Sequence, residues 1–385
     1  MMLRNLMLGG LAVIFTGANG PTWEHWRTIP AIFDVAGPRQ DGSLVVAGNG
    51  VLYLVDTSGN VSPFARGAQG YAGEGGGAES YLTVSPGHEV VAAGCSFTPD
   101  DVFVLRLRAP LGVTRIDGQG HATPFATVTG VDALNGIAFD TTGNFDFRLL
   151  VSGPSQGKTV ISAIDCTGAV SSITHTAPVL EGGVAVAPVG FGSFGGDLIA
   201  PDELSGQIYA IAPDGSVSVV AMSGLPVGGD IGVESVAFVP PGFTHGGDAY
   251  FSDRGTPGNP HAGTDSLLRL SAANLAGAGV HDGDLVGATE GGATMEDVRC
   301  TLTCQTFTVV QAASTSHGEG HVAFTINAVP SPTPTSSPVA IRIPTPAAPD
   351  PEPLVVIAVL VVILAAAAAS TIAARRHRGG RSGTS

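Results

Sequence analysis

The sequence predicts an all-β fold, a β-propeller of four-stranded antiparallel blades, followed by one C-terminal transmembrane helix. Three observations predict it. A strand–turn–strand unit with a glycine in its turn recurs four times. A second recurrent unit, Asn or Glu followed by a small-and-apolar strand, is interspersed with it. A 21-residue run without charge, Leu354 to Ala374, lies near the C terminus.

Taken from the N terminus, residues 1–20 read as a signal peptide. Arg4 precedes an apolar stretch from Leu6 to Phe15, and the small residues Thr16, Gly17 and Ala18 follow. That order of charge, apolar core and small residues directs export, and the apolar part is too short to span a bilayer. A buried N-terminal helix is the alternative.

Residues 21–328 carry the fold. The outer hairpins are LVDTSGNVSPF (54–64), RIDGQGHATPF (115–125), AIDCTGAVSSI (163–173) and AIAPDGSVSVV (210–220). Their turn glycines, Gly59, Gly120, Gly168 and Gly215, stand 61, 48 and 47 residues apart and supply the positive φ such turns need. The second unit includes LNGIAFD (134–140), LEGGVAVAP (180–188), VESVAFVP (233–240) and GEGHVAFTI (318–326), with ESYLTVSPG (79–87) a looser copy. A four-stranded unit repeating every 45–60 residues is the grammar of a propeller blade. The first strand of each blade lines the channel, so Glu79, Asn135, Glu181, Glu234 and Glu319 at the strand heads converge at one mouth. Either they hold a hard cation, or they cap strand ends wetted by channel water. Calcium suits the first case, because it takes six to eight oxygen donors. Between Glu234 and Glu319 one further blade is expected, and ring closure is expected to pair GEGHVAFTI with N-terminal strands such as GSLVVAG (42–48).

Beyond the domain, residues 329–353 contain nine prolines in 25 and cannot pack a core. They form a semi-rigid stalk of roughly 75 Å if extended. Residues 354–374 are long enough as a helix, about 31 Å, to cross a bilayer, with a buried core helix the alternative. The basic tail, 375–385, with Arg375, Arg376, Arg378 and Arg381, stays on the cytoplasmic side. The localisation expected is therefore the cell membrane, single-pass, with the main domain extracellular.

Composition narrows the function. Residues 21–330 hold 30 Asp and Glu against 11 Lys and Arg, a net charge of −19. Nucleic acid and anionic lipid are repelled by such a surface. Four cysteines in an exported chain suggest disulfides, for which three connectivities exist. Cys300 and Cys304 in RCTLTCQ are close enough to clip a hairpin turn, leaving Cys95 for Cys166; a zinc site is the alternative. In SHGEGHVAF the residues His317, Glu319 and His321 alternate. A strand points all three to one face, where the histidines are candidate catalytic bases beside a metal-bound water. The alternative is two exposed histidines on a glycine-rich loop. Asp202 and Glu203 read as turn formers, with ligands of a second ion the alternative, and the insert 252–270, with His261 and Asp265, as a loop shaping a binding face. No Walker loop or HExxH helix is present.

The repeat pattern and the Asn/Glu strand heads resemble the six-bladed propellers of the gluconolactonase, regucalcin and paraoxonase group, and of NHL-repeat and streptogramin-lyase-like proteins. The resemblance covers residues 31–326 in architecture and implies six blades. It implies a central divalent ion held by Asn135, Glu181, Glu234 and Glu319. Asn135 and Glu181 match the group in residue type, while Glu234 and Glu319 add negative charge where it often has Asn or Asp. The function expected is a surface-displayed propeller binding a divalent metal ion and an unknown small molecule or surface polymer. A metal-dependent hydrolase or lactonase is the alternative. A lyase or a quinone-dependent sugar dehydrogenase is a further one, although few aromatics and a single lysine, Lys158, do not suit a quinone cofactor.

Overall fold

The structure, a computed structural model, describes residues 20–65, 71, 78–310 and 315–327. The signal peptide apart from Gly20, the stalk, the apolar run and the basic tail expected from sequence lie outside these residues. Among the described residues no helix is long and apolar enough to cross a membrane.

Six four-stranded antiparallel sheets form the six blades. Blades one to four follow the chain in order. Their inner strands are Ile32–Ala36, Leu82–Val84, Gly136–Phe139 and Ala185–Val186. Each blade then adds three strands outward, as in blade one with Leu44–Gly48, Val51–Val55 and Val61–Ala65. The second strand of blade one is apolar without interruption because both faces of the blade are covered. In Leu44–Gly48 every residue is buried, with Val45 and Ala47 packed toward blade two and Leu44 and Val46 toward blade six. Six apolar clusters result, one at each interface between neighbouring blades.

The last two blades depart from serial order. Blade five begins with the inner strand Val233–Phe238. The chain then crosses to blade six for Gly247–Asp253 and Ser266–Ser271. A short helix, Ala272–Gly277, leads back to Leu285–Thr289, Met295–Cys300 and Cys304–Val310, which finish blade five. Only then is the inner strand of blade six laid down, Gly318–Ile326. The N-terminal strand Glu24–Thr28 completes that blade on the outside. This corrects two expectations. The stretch between Glu234 and Glu319 holds parts of two blades. Gly318–Ile326 pairs with Gly247–Asp253 and not with residues 42–48, which belong to the next blade.

The recurrent outer hairpins dock each blade on the one before it. At Gly120 the backbone has φ +86°, and a Cβ would collide with the carbonyl of Phe64 in blade one. Gly168 and Gly215 meet Phe125 and Ile173 of their preceding blades in the same way. At the ring seam a side chain takes over. Arg27 donates from Nε to the carbonyl of Gly59 (2.6 Å) and from Nη2 to that of Ser58 (3.2 Å), tying blade six to blade one.

Both disulfides expected from the spacing are present. Cys95–Cys166 links a loop of blade two to the outer turn of blade three. Cys300–Cys304 joins directly opposed residues across a three-residue turn in blade five.

Candidate metal site at the channel mouth

The heads of the inner strands come together at one end of the channel. Glu319 is the second residue of Gly318–Ile326, and Glu234 the second of Val233–Phe238. Tyr81, just before Leu82–Val84, lies between them, its hydroxyl 2.8 Å from Oε1 of Glu234 and in short contact with Oε1 of Glu319. A phenol has one hydrogen to donate, so one of the two carboxyls must carry a proton of its own. The electrostatics agree. Burial, followed by the charges of Glu319, Glu181 and Glu290, pushes Glu234 well above the usual carboxylate range. Burial and Glu79 push Glu319 up to about 8 against the pull of Arg254.

The interleaved chain brings a further carboxylate to Glu319. Glu290 sits in the turn between the second and third strands of blade five. Its carbonyl accepts from Gly318 N (2.7 Å), and Gly292 N donates to Ser316 O (2.8 Å). The turn is thereby laced to the start of blade six's inner strand. His317 is pinned by backbone bonds, its N–H donating to Asp253 Oδ1 (2.8 Å) and its carbonyl accepting from Arg254 N (2.8 Å). Nε2 of His317 then stands 3.0 Å from Oε1 of Glu290 and 4.0 Å from Oε2 of Glu319. One ligand atom from each of Glu290, His317 and Glu319 lies within 4.8 Å of the others, and all three residues are buried. Two carboxylates and an imidazole at that separation can hold a divalent ion. Nδ1 of His317 is buried with no partner.

Two more carboxyls share the mouth. Burial, then Glu203, Glu79 and Glu290, push Glu181 up to about 8. Burial, then Glu290 and Asp230, push Glu203 up to about 7. Arg254 answers part of this charge, its Nη1 lying 2.6 Å from Glu79 Oε1 and 2.8 Å from Glu319 Oε2.

Of the residues singled out from sequence, Glu181, Glu234, Glu319 and His317 share this mouth. The side chain of Asn135 is held by neighbouring blades. Its Oδ1 accepts from the hydroxyl of Ser152 (3.0 Å) and its Nδ2 donates to the carbonyl of Leu180 (2.6 Å), bracing blade three against blade four. His321 packs edge-on against the ring of Tyr81, with centroids 5.9 Å apart. Gly320 has φ +71° and the pairing register shifts there, which breaks the expected alternation. The ring of His321 lies with Nδ1 3.0 Å from Asp34 Oδ1 and Nε2 3.0 Å from the carbonyl of Ile137, spanning three blades. Burial opposes a charge on it, but the Asp34 carboxylate outweighs burial and raises its pKa.

Glu290, Tyr81 and Arg254 are not singled out by the sequence, and Glu203 reads there as a turn former. Asp202 is a turn former, accepting from Leu204 N (3.0 Å), but its neighbour Glu203 turns toward the carboxylates. Glu290 had a readable signal, since Glu290-Gly291-Gly292 repeats the Glu181-Gly182-Gly183 of blade four.

No protein-family model matches the chain, and no curated protein matches it. Solved structures resemble it at low identity. Virginiamycin B lyase from Staphylococcus aureus is 13% identical, with a TM-score of 0.40 over 77% of this chain and 92% of that one. A TolB-like protein from Agrobacterium tumefaciens is 14% identical, with a TM-score of 0.43 over 79% and 93%. A gluconolactonase-like protein is 11% identical, with a TM-score of 0.33 over 66% and 92%.

Proposed function

We propose that this chain is a membrane-anchored, surface-displayed propeller that binds a divalent metal ion at its channel mouth through Glu290, His317 and Glu319. The bound ion would present itself to a small molecule or a surface polymer. The observation that carries the metal reading is the convergence of those three ligand atoms within 4.8 Å, in buried surroundings crowded with carboxylates. Export and anchoring rest on the sequence of residues 1–20 and 354–374. The all-oxygen ring read from sequence suits calcium, whereas a mixed set of two carboxylates and the imidazole of His317 suits transition ions such as Mn²⁺, through the carboxylates, or Zn²⁺, through the imidazole as well.

A hydrolase of the lactonase kind is the second reading, favoured by Glu181 and Glu203. Carboxyls held at about 8 and about 7 are suited to exchange protons near neutral pH. A divalent ion bound beside them would supply Lewis acidity and a more acidic water.

The test is thermal unfolding of the purified full-length chain before and after chelation, then with Ca²⁺, Mg²⁺, Mn²⁺ or Zn²⁺ restored. An ion that binds only the folded state adds RT ln(1 + [L]/Kd), about 2.7 kcal/mol at a hundredfold excess over Kd. Glu290→Gln and Glu319→Gln should blunt the response. Unchanged melting with every ion, and no metal by elemental analysis, would sink both readings.

A further inference from the structure

We infer that Arg254 is a built-in competitor of the metal, a tethered cation that sets which ions can enter the mouth. The inference rests on the metal reading above and assigns a role that the reading does not need. Nη1 of Arg254 lies 2.8 Å from Oε2 of Glu319, the same oxygen that stands 4.0 Å from Nε2 of His317. A metal drawing on that oxygen and a guanidinium hydrogen-bonded to it compete for one donor. Like charges held so close in a buried site repel strongly.

The backbone around Arg254 shows what can move. Its N–H donates to the carbonyl of His317 (2.8 Å), and Gly255 N donates to Asp265 Oδ1 (2.8 Å). Gly263 N donates to the carbonyl of Thr315 (2.7 Å), and Gly263 packs so tightly on the carbonyl of Arg254 that a Cβ there would collide with it. The loop is therefore fixed, and the guanidinium has to move by side-chain rotation alone. Its second partner shows the direction. Glu79 Oε1 is 2.6 Å away on a side chain 46% exposed, against 2% for Glu319. The guanidinium can withdraw from Glu319 toward the rim while keeping Glu79.

Charge arithmetic then gives selectivity. A divalent ion that displaces one positive charge leaves the ring of Glu234, Glu290 and Glu319 better neutralised than before. A monovalent ion replaces like with like and forfeits the charge-assisted hydrogen bonds of the guanidinium. Arg254 thus excludes Na⁺ and K⁺ and lowers affinity for every divalent ion alike.

Titration calorimetry of the full-length chain with Mn²⁺ tests this with Arg254→Gln and Arg254→Lys. Arg254→Gln should bind Mn²⁺ at least about tenfold more tightly than the parent, since each tenfold corresponds to about 1.4 kcal/mol. Arg254→Lys, which keeps the charge but loses the planar fork, should fall between them. At constant ionic strength, replacing N-methylglucamine chloride by KCl should weaken Mn²⁺ binding in Arg254→Gln and leave the parent unchanged. Equal or weaker Mn²⁺ binding in Arg254→Gln overturns the inference and makes Arg254 a support of the site. If Arg254→Gln does not fold, Arg254→Lys must still bind more tightly than the parent, and equality overturns the inference. If the parent binds no divalent ion at all, the metal reading fails first and this inference with it.

Discussion

Replacing Cys95 and Cys166 by alanine removes the longer of two cross-links, and its cost can be set against that of the shorter. A disulfide acts mainly on the unfolded chain, by closing a loop whose entropy grows with the logarithm of its length. The two bridges span 71 and 4 residues. The loop-closure relation gives about 4.4 kcal/mol for the first and about 1.9 kcal/mol for the second. Cys300 is itself buried between blades four and five, so its truncation adds a packing loss of roughly 1 kcal/mol. The expected gap narrows to about 1.5 kcal/mol, still in favour of Cys95–Cys166. For a domain of roughly 300 residues the unfolding entropy near the midpoint is about 0.6 kcal/mol per degree. The paired variant Cys95→Ala/Cys166→Ala should then melt about 7 °C below the parent, and Cys300→Ala/Cys304→Ala about 5 °C below. Calorimetric melting of the full-length chain under oxidising conditions reads both. If the short bridge costs more than the long one, chain entropy is not what these bridges contribute.

Two further outcomes follow from buried groups away from the mouth. Glu296 is fully buried with both oxygens unpartnered, and burial, then Asp297, push it up to about 9. Its pKa is higher folded than unfolded, so above about 4.5 the native state holds a proton the unfolded state has lost, and stability falls as pH rises toward 9. Glu296→Gln should cut the loss between pH 6 and pH 9 by up to about 4 kcal/mol, read by urea titration at both values; an unchanged loss would mean that Glu296 is ionised and paired. Gly120→Ala should cost at least about 2 kcal/mol, because it puts a side chain at positive φ and against the carbonyl of Phe64, whereas Gly130→Ala, also at positive φ but with open space around it, should cost less. Equal losses in the two glycine variants would refute the docking role.

The blades were legible where structure is local. The hairpins ending in Gly59, Gly120, Gly168 and Gly215 announce themselves because a positive φ and a tight interblade approach admit almost nothing but glycine. The strand heads were legible for the same reason, since Glu181, Glu234 and Glu319 interrupt apolar runs that burial otherwise demands. The crossing of blades five and six left no local trace. Strand partners are chosen by packing across the ring, and Gly247–Asp253 reads alike in either blade. Glu290 depends on that crossing, as it reaches His317 only because blade five is finished after blade six has begun. The expected alternation of His317, Glu319 and His321 fails at one residue, Gly320, whose left-handed backbone breaks the two-residue period.

The crossing also governs when the ring can close. Ribosomes deliver this chain from one end, and blades one to four can assemble as they emerge. The hairpin 247–271 cannot. Its inner neighbour, Gly318–Ile326, is made last, and its outer neighbour, Glu24–Thr28, is made first and waits about 240 residues for it. Until the final strand arrives, that hairpin carries a bare edge of unpaired amides, the kind of edge that recruits strands from other molecules. Blade five cannot be finished in isolation either, because its turn at Glu290 is tied to Gly318. The two blades therefore form one cooperative unit, slow to nucleate because its contacts are so distant in sequence. A chain ending short of residue 326 would lose both blades together, and with them the metal site.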